Sequence, residues 1–335
     1  MKKLLQKLTE TFGPSGYEDA VRKLVRAEIE PLADDIRVDA LGNLIARKRP
    51  LARAGGKARR IMIAAHMDEI GLIASHIDEN GFVRFAPIGT VMGRYLLGSR
   101  VRFLNGVQGL VGFDRLEKYN ELPDTARIFV DVGATSRKDC PVQIGDVAAF
   151  ERPFQDLGRR VMAKSLDNRA GVLVAIETLR ALKTTPHDVY FVFTTQEEVH
   201  LRGATVSAFG VEPEIAIALD VTPAGDTPEA LKLEAALGKG PAIKIRDVGM
   251  LADVRVVNWM IRTAGKAGLP YQREVLTIGS TDAAAIQISR SGVMAGALSV
   301  PVRYVHSPSE MIDWDDLKNA IKLLTALLKG PVNLK

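Results

Sequence analysis

The run Asp188-Val189-Tyr190-Phe191-Val192-Phe193-Thr194-Thr195-Gln196-Glu197-Glu198 constrains the fold of this chain most. Val189 to Phe193 are all apolar or aromatic, too few for a helix and rich in β-branched and ring side chains. They read as a strand buried on both faces of a sheet. The strand runs straight into two adjacent carboxylates. A loop leaving a buried strand can hold one carboxylate against a metal and aim its neighbour at water, the division of labour that hydrolytic metal sites use. The same two acids would serve equally well as an acidic N-cap for the next helix.

The flanking sequence shows what kind of sheet this strand joins. Lys2 to Phe12 and Glu18 to Ile29 have helical spacing, separated by Gly13-Pro14-Ser15-Gly16. Ile36 to Val38 and Asn43 to Ala46 read as a hairpin, and Arg60 to Ala65 as a buried strand leading into His66-Met67-Asp68. From Gly71 to Phe154 the texture changes to short apolar runs between turn signals such as Asn80-Gly81 and Asn105-Gly106, with strands expected at 72–77, 82–85, 100–104 and 128–132 and no amphipathic helix. Asp114 to Thr125 is polar and reads as an exposed loop or a partner contact. After Arg160 a helix (Gly171 to Lys183), the opening strand and a strand over 214–220 alternate. Helices follow at 254–264 and 282–289, then a strand at 294–300 and a terminal helix at 314–328 that Asp313 can cap. The expected fold is α/β, a mostly parallel sheet formed by residues 1–70 plus 155–335, with a small barrel-like all-β domain inserted over 71–154.

Composition excludes several classes. With 335 residues, 47% hydrophobic and 25% charged, the chain is enzyme-sized and globular. Its formal charge of +5 is spread along the chain, and the tightest basic cluster (Arg47, Lys48, Arg49, Arg53, Lys57, Arg59, Arg60) has no interleaved aromatics, so it reads as a surface loop rather than a nucleic-acid surface. One cysteine, Cys140, rules out an intrachain disulfide and a Cys-based zinc site and fits a reducing, cytoplasmic compartment. No apolar run is long enough to span a membrane, and the charged N-terminus does not resemble a signal peptide.

In an open α/β sheet, ligands bind outside the carboxyl ends of the strands. His66 follows one buried strand, Glu197 and Glu198 a second, and Asp220 closes a third. Asp167 precedes a helix, where an N-cap is the ordinary role, and His306 lies in a loop after the last strand, where a surface histidine is ordinary. Together these two imidazoles and several carboxylates are what a pair of divalent transition metals needs, and zinc suits the donor set. Asp68, two residues after His66, is placed to orient its imidazole or to be a plain loop acid. His76, His187 and His200 have no such context.

The segments His66-Met67-Asp68-Glu69-Ile70-Gly71, Ser165-Leu166-Asp167-Asn168-Arg169, Thr195-Gln196-Glu197-Glu198-Val199, Leu219-Asp220-Val221-Thr222 and His306-Ser307-Pro308 resemble, in order and spacing, the five motif blocks of metallopeptidase family 42. This is the tetrahedral aminopeptidase group, which includes glutamyl and deblocking aminopeptidases and proteins once labelled endoglucanases. The resemblance implies one metal held by His66, Asp167 and Asp220 and another by Asp167, Glu198 and His306. It makes Glu197 the general base and Asp68 a support for His66. Cobalt and manganese can use the same ligand set as zinc, and likeness to structurally similar di-metal peptidases implies a cis peptide between Asp167 and Asn168. Peptides would be the substrates, shortened from the N-terminus by a water activated between the metals. The inserted domain would mediate dimer contacts, and dimers would assemble into a dodecamer.

Rival functions make different demands. A metal-free glycosidase could use Glu197 with Asp220 but leaves two histidines without a role. An inactive scaffold would tolerate loss of a ligand. A carboxypeptidase or deacylase would share the metal logic and differ only in substrate. Lys244, Arg246 and Arg273 are candidates for an acid-selective pocket or are simply solvated surface charges.

Overall fold

The computed structural model describes residues 1–51, 58–116, 118 and 121–334. Arg53, Lys57 and part of the 114–125 loop, named above, lie outside them. The central feature is an 11-stranded mixed sheet. Its middle is parallel: Asp188–Thr194, Arg60–His66, Ile215–Pro223 and Met294–Arg303 lie side by side in that order. Antiparallel strands extend it on both sides, the hairpin Asp35–Val38/Leu44–Lys48 on one and Glu310–Asp313, Arg160–Ala163 and Gln155–Leu157 on the other. Only the centre obeys the βαβ pattern read from the sequence. The hairpin on one side is the one expected at 36–38 and 43–46, whereas the short strands on the other side are mixed in polarity and carry no continuous apolar run to betray them.

The parallel strands are buried almost throughout because helices cover both faces. Leu166–Ala181 and Trp314–Lys329 pack on each other and on the strands, while Arg202–Val211 and Asp282–Gln287 form a second pair against the same sheet. Phe191 and Phe193 are fully buried; each such side chain contributes roughly 1.5–3 kcal/mol by leaving water. The expected one-sided helix over 171–183 is in fact longer and buried on nearly every side. Asp313 caps the terminal helix by accepting from Asp315 N at 3.0 Å.

Gly71–Ile77, Val83–Ile88, Ile128–Asp131, Gln108–Phe113, Arg100–Phe103 and Val147–Phe150 close into a six-stranded barrel, inserted between the Arg60–His66 strand and the return to the large sheet. Leu72, Val83, Val101, Phe103, Val130 and Phe150 fill it. Two of its strands escaped the sequence reading. Gln108–Phe113 carries Gly109 and Gly112, whose missing Cβ atoms make room for Val130 and Phe129 on the neighbouring strand, and Val147–Phe150 is only four residues long. No amphipathic helix is expected in this region, and its one α-helical segment among the described residues, Gly93–Leu96, is a single turn.

Among the described residues no helix is long and apolar enough to cross a membrane. The basic cluster is largely answered by acids. Arg47 donates to Asp188 at 2.7 and 3.0 Å, Arg49 pairs with Asp35 at 2.8 Å, and Arg59 with Glu214 at 2.5 Å.

Candidate metal centre

The centre lies where the parallel strands end. His66 and Thr194 are the last residues of adjacent strands and lie directly opposite each other, and Met67 N donates to Thr194 O at 2.7 Å. This brings the loop after each strand to one place. Asp220 differs from its expected position. Its strand continues to Pro223, so Asp220 points from within the sheet rather than from its end.

Asp167 is no helix cap. The Asp167–Asn168 peptide is cis, and both residues have non-helical backbone angles at the start of the 166–181 helix. Asn168 holds this bend by donating to Leu219 O at 2.7 Å and accepting from Gly171 N at 2.9 Å. The bend turns the Asp167 carboxylate between the two imidazoles, with Oδ1 3.1 Å from His66 Nε2 and Oδ2 3.3 Å from His306 Nε2. His306 Nε2 also lies 3.3 Å from Glu198 Oε2. His66 Nε2 lies 3.7 Å from Asp220 Oδ1 and 3.9 Å from Glu197 Oε2.

Two groups of ligand-type atoms result, His66 with Glu197 and Asp220, and Asp167 with Glu198 and His306, each spanning no more than 4.8 Å. Asp167 touches both. All seven residues singled out in the sequence, Asp68 included, therefore meet at one site. His187 is elsewhere, bonded to Gly330 O at 2.9 Å.

Neither glutamate caps the following helix, which starts at Arg202 after an N-cap residue, Leu201, that makes no side-chain cap bond. Their loop is held by buried carboxylates instead. Asp68, fully buried, accepts from Glu197 N at 3.0 Å and Glu198 N at 3.1 Å, and Ser15 Oγ donates to it at 2.6 Å. Glu18 accepts from Gln196 N at 3.0 Å, so three consecutive amides of the loop each meet a carboxylate oxygen. Asn43 accepts from Thr195 N at 3.0 Å, and Gly203 approaches so closely that a Cβ there would lie 2.3 Å from Thr195 O. On the opposite side Glu310 accepts from Asp167 N and His306 N, both at 2.9 Å. Ser15, Glu18, Asn43 and Glu310 escaped the sequence reading as parts of the site, because Ser15 acts through the Asp68 carboxylate and the other three through backbone amides that lie mostly far away along the chain. Ser165, Gln196, His200, Leu201, Tyr304 and His306 all have positive φ, backbone that L residues adopt only where surroundings enforce it.

The electrostatics describe a cluster short of positive charge. Burial opposes a charge on His306, yet Glu198 and Asp167 outweigh it and push its pKa up to about 12. Burial likewise opposes charge on His66, and Glu197, Asp167, Asp220 and Asp68 still drive its pKa upward. Burial and neighbouring carboxylates raise Glu197, Glu198 and Asp220, while Asp167, although buried, is held low by the two imidazoles. Protons would be drawn onto imidazoles and carboxylates alike, and divalent cations are the natural replacement. The donor set of imidazole nitrogens and carboxylate oxygens fits zinc, cobalt or manganese. Asp68 Oδ1 faces His66 Nδ1 at 3.4 Å, a buried nitrogen with no other hydrogen-bond partner.

The two groups open into a cleft of about 680 Å³, which Thr90 and Met92 reach from the barrel side. Gly89 comes so near that a Cβ there would lie 3.1 Å from the Glu198 side chain.

Comparisons with known proteins agree with this geometry. Residues 42–323 match the family model described as M42 glutamyl aminopeptidase. A lysyl aminopeptidase of Pyrococcus furiosus is 37% identical over 341 residues, 97% of this chain and 96% of that protein. The structure of aminopeptidase APDkam598 from Desulfurococcus kamchatkensis superposes with a TM-score of 0.94 at 40% identity, covering 98% of this chain and 94% of the other. The TET1 peptidase of Pyrococcus horikoshii, which can assemble into a tetrahedron or a large octahedral shell, gives a TM-score of 0.86 at 34% identity, covering 98% and 99%. With both clusters of metal-ligand residues in place within that framework, this chain belongs to the M42 family of metallopeptidases.

Proposed function

We propose that this protein is a metal-dependent aminopeptidase that removes N-terminal residues from peptides. The observation that carries the reading is Asp167 set between two buried imidazoles, joining two clusters of ligand-type atoms at the head of the cleft. In this reading His66, Asp167 and Asp220 hold one ion and Asp167, Glu198 and His306 the other. Two divalent cations there supply Lewis-acid charge beside the scissile carbonyl and make water a nucleophile near neutral pH. Glu197 is the general base, taking a proton from the attacking water and returning it to the leaving amine; burial raises its proton affinity toward the range this task needs. Asp68 keeps the Glu197 and Glu198 amides in register and faces His66, so it orients both the base and a ligand.

Residues 1–70 plus 155–335 form the catalytic unit in this reading, and 71–154 an inserted unit that contacts a second copy. The tetrahedron or octahedral shell formed by the Pyrococcus horikoshii relative, and the dodecamer of another structural relative at 33% identity, support a closed homo-oligomer, a dodecamer built of dimers. Light scattering tests this, and a fully active monomer would refute the assembly without touching the chemistry. A cytoplasmic location is consistent with the single free cysteine. For the chemistry, apoprotein reloaded with zinc, cobalt or manganese is assayed on aminoacyl p-nitroanilides and on N-acylated counterparts. Cleavage is expected only of free N-termini and only with metal. Activity on a glycoside that survives chelation would point to the glycosidase alternative, and cleavage of the acylated set to a deacylase.

A further inference from the structure

The wall of the cleft bears on which N-terminal residue it accepts. Away from the two clusters that wall is dominated by apolar side chains. Val221, Leu276 and Ala284 lie buried, and Val248 and Ile278 stand 64% and 45% exposed at the rim. Among the described lining residues outside the clusters, only Lys244 and His200 carry a titratable group, and His200 is exposed. Lys244 is not the solvated surface charge that its sequence context allowed. It is fully buried, and its ammonium donates to Glu274 Oε2 at 2.8 Å and Thr222 Oγ1 at 3.2 Å. The Thr222 hydroxyl in turn donates to the other oxygen of Glu274, so the charge is answered within the wall. Arg246 and Arg273 are exposed and do not line the cleft.

We infer that the site takes an uncharged aliphatic N-terminal residue of leucine or methionine size and rejects glutamyl and lysyl residues, with Val248, Leu276, Ile278 and the Lys244–Glu274 pair as its specificity-determining wall. The inference rests on the aminopeptidase reading above. A glutamyl side chain would shed water without meeting a free cation, and Lys244 could serve it only by leaving Glu274 buried and unpaired. A lysyl side chain would meet no carboxylate outside the centre itself. An aliphatic side chain simply exchanges water for the apolar wall. This specificity differs from those in the names of the family model and of the Pyrococcus furiosus relative.

The test is the kcat/KM of the metal-loaded protein on leucyl, methionyl, glutamyl and lysyl p-nitroanilides, alongside Ile278→Arg, a substitution at the half-exposed rim. Leucyl and methionyl substrates are expected to exceed the charged pair by roughly 10²-fold, the usual discrimination of an apolar pocket. Ile278→Arg is expected to narrow the leucyl-to-glutamyl ratio about tenfold while retaining both ions by elemental analysis. Calorimetric binding of free leucine against free glutamate should follow the same order without turnover. If Ile278→Arg fails to fold, Val248→Arg at the more exposed position repeats the measurement. Preference for glutamyl or lysyl substrates, or an unchanged ratio in a folded, metal-retaining variant, would overturn the inference alone. Failure to cleave any of the four would overturn the aminopeptidase reading and the inference with it, so the two failures are told apart.

Discussion

The barrel and the carboxyl end of the large sheet are built on opposite rules. Inside the barrel the buried cluster contains only apolar side chains, among them Leu72, Val101, Phe103 and Phe150. At the end of the sheet His66, Asp68, Asp167, Asp220, Glu310 and Asp282 are buried within a few residues of the strand ends. The barrel closes its strand ladders around an apolar core. The sheet gives some of its stability up to hold like charges together, and it limits the loss by directing backbone amides at the carboxylates that are not left for metal.

The most severe way to break this contrast is to remove the ions. Chelation is expected to abolish peptidase activity and lower the melting temperature together, because Asp167, Glu198 and Asp220 then repel one another and the stabilisation that bound ions supply is lost. Calorimetry with elemental analysis checks it, and unchanged melting after verified metal loss would contradict a buried metal centre. Next comes Glu197, the proposed base. Glu197→Gln should keep both ions yet lose about 10²- to 10⁴-fold in kcat, which is about 3–5 kcal/mol of barrier. Glu198→Gln should instead lose metal at one position, and the reverse pattern of metal content would exchange the two roles.

On the barrel side, Phe103→Ala should cost about 3–5 kcal/mol of stability by leaving a cavity, while metal content per folded chain stays at the wild-type value; chemical denaturation and elemental analysis separate the two. Glu310→Gln sharpens the comparison from the other side. It keeps the shape but weakens the grip on Asp167 N and His306 N, so metal affinity should fall about 10- to 100-fold, the range for partners that orient ligands, as read by competition with a chromogenic chelator.

The last comparison is in pH dependence. Burial first, then the charge of Asp68, raises the Glu18 pKa from 4.5 to about 7. The folded state therefore binds this proton more tightly than the unfolded chain. The stability it contributes is complete below about pH 4.5 and is lost as pH rises through about 7. In metal-depleted protein Glu18→Gln should be the more stable form above pH 7, with the difference from wild type growing by at most about 1.4 kcal/mol per pH unit between the two values. Melting curves at pH 5 and pH 8 decide it, and equal shifts at both would show that Glu18 does not change its protonation between them, against the raised pKa.

The sequence alone determined the features that are local or periodic. Apolar runs too short for a helix and rich in β-branched and aromatic side chains read as buried strands, so the parallel centre was legible, as was the change to turn-punctuated short strands after Gly71. The seven site residues were legible because chemistry restricts which side chains can serve metals, and because five motif blocks stand in order. The tertiary structure alone decided what depends on distance across the chain. Glu310, Ser15 and Glu18 join the centre by accepting or donating at backbone or side-chain partners that no spacing reveals. Gln108–Phe113 is a strand because neighbours fill the space above its glycines. Lys244 reads as a surface charge until Glu274, thirty residues on, is seen to neutralise it inside the wall. A lone charge in a sequence has no dielectric and no partner; burial and pairing supply both, and only the folded chain sets them.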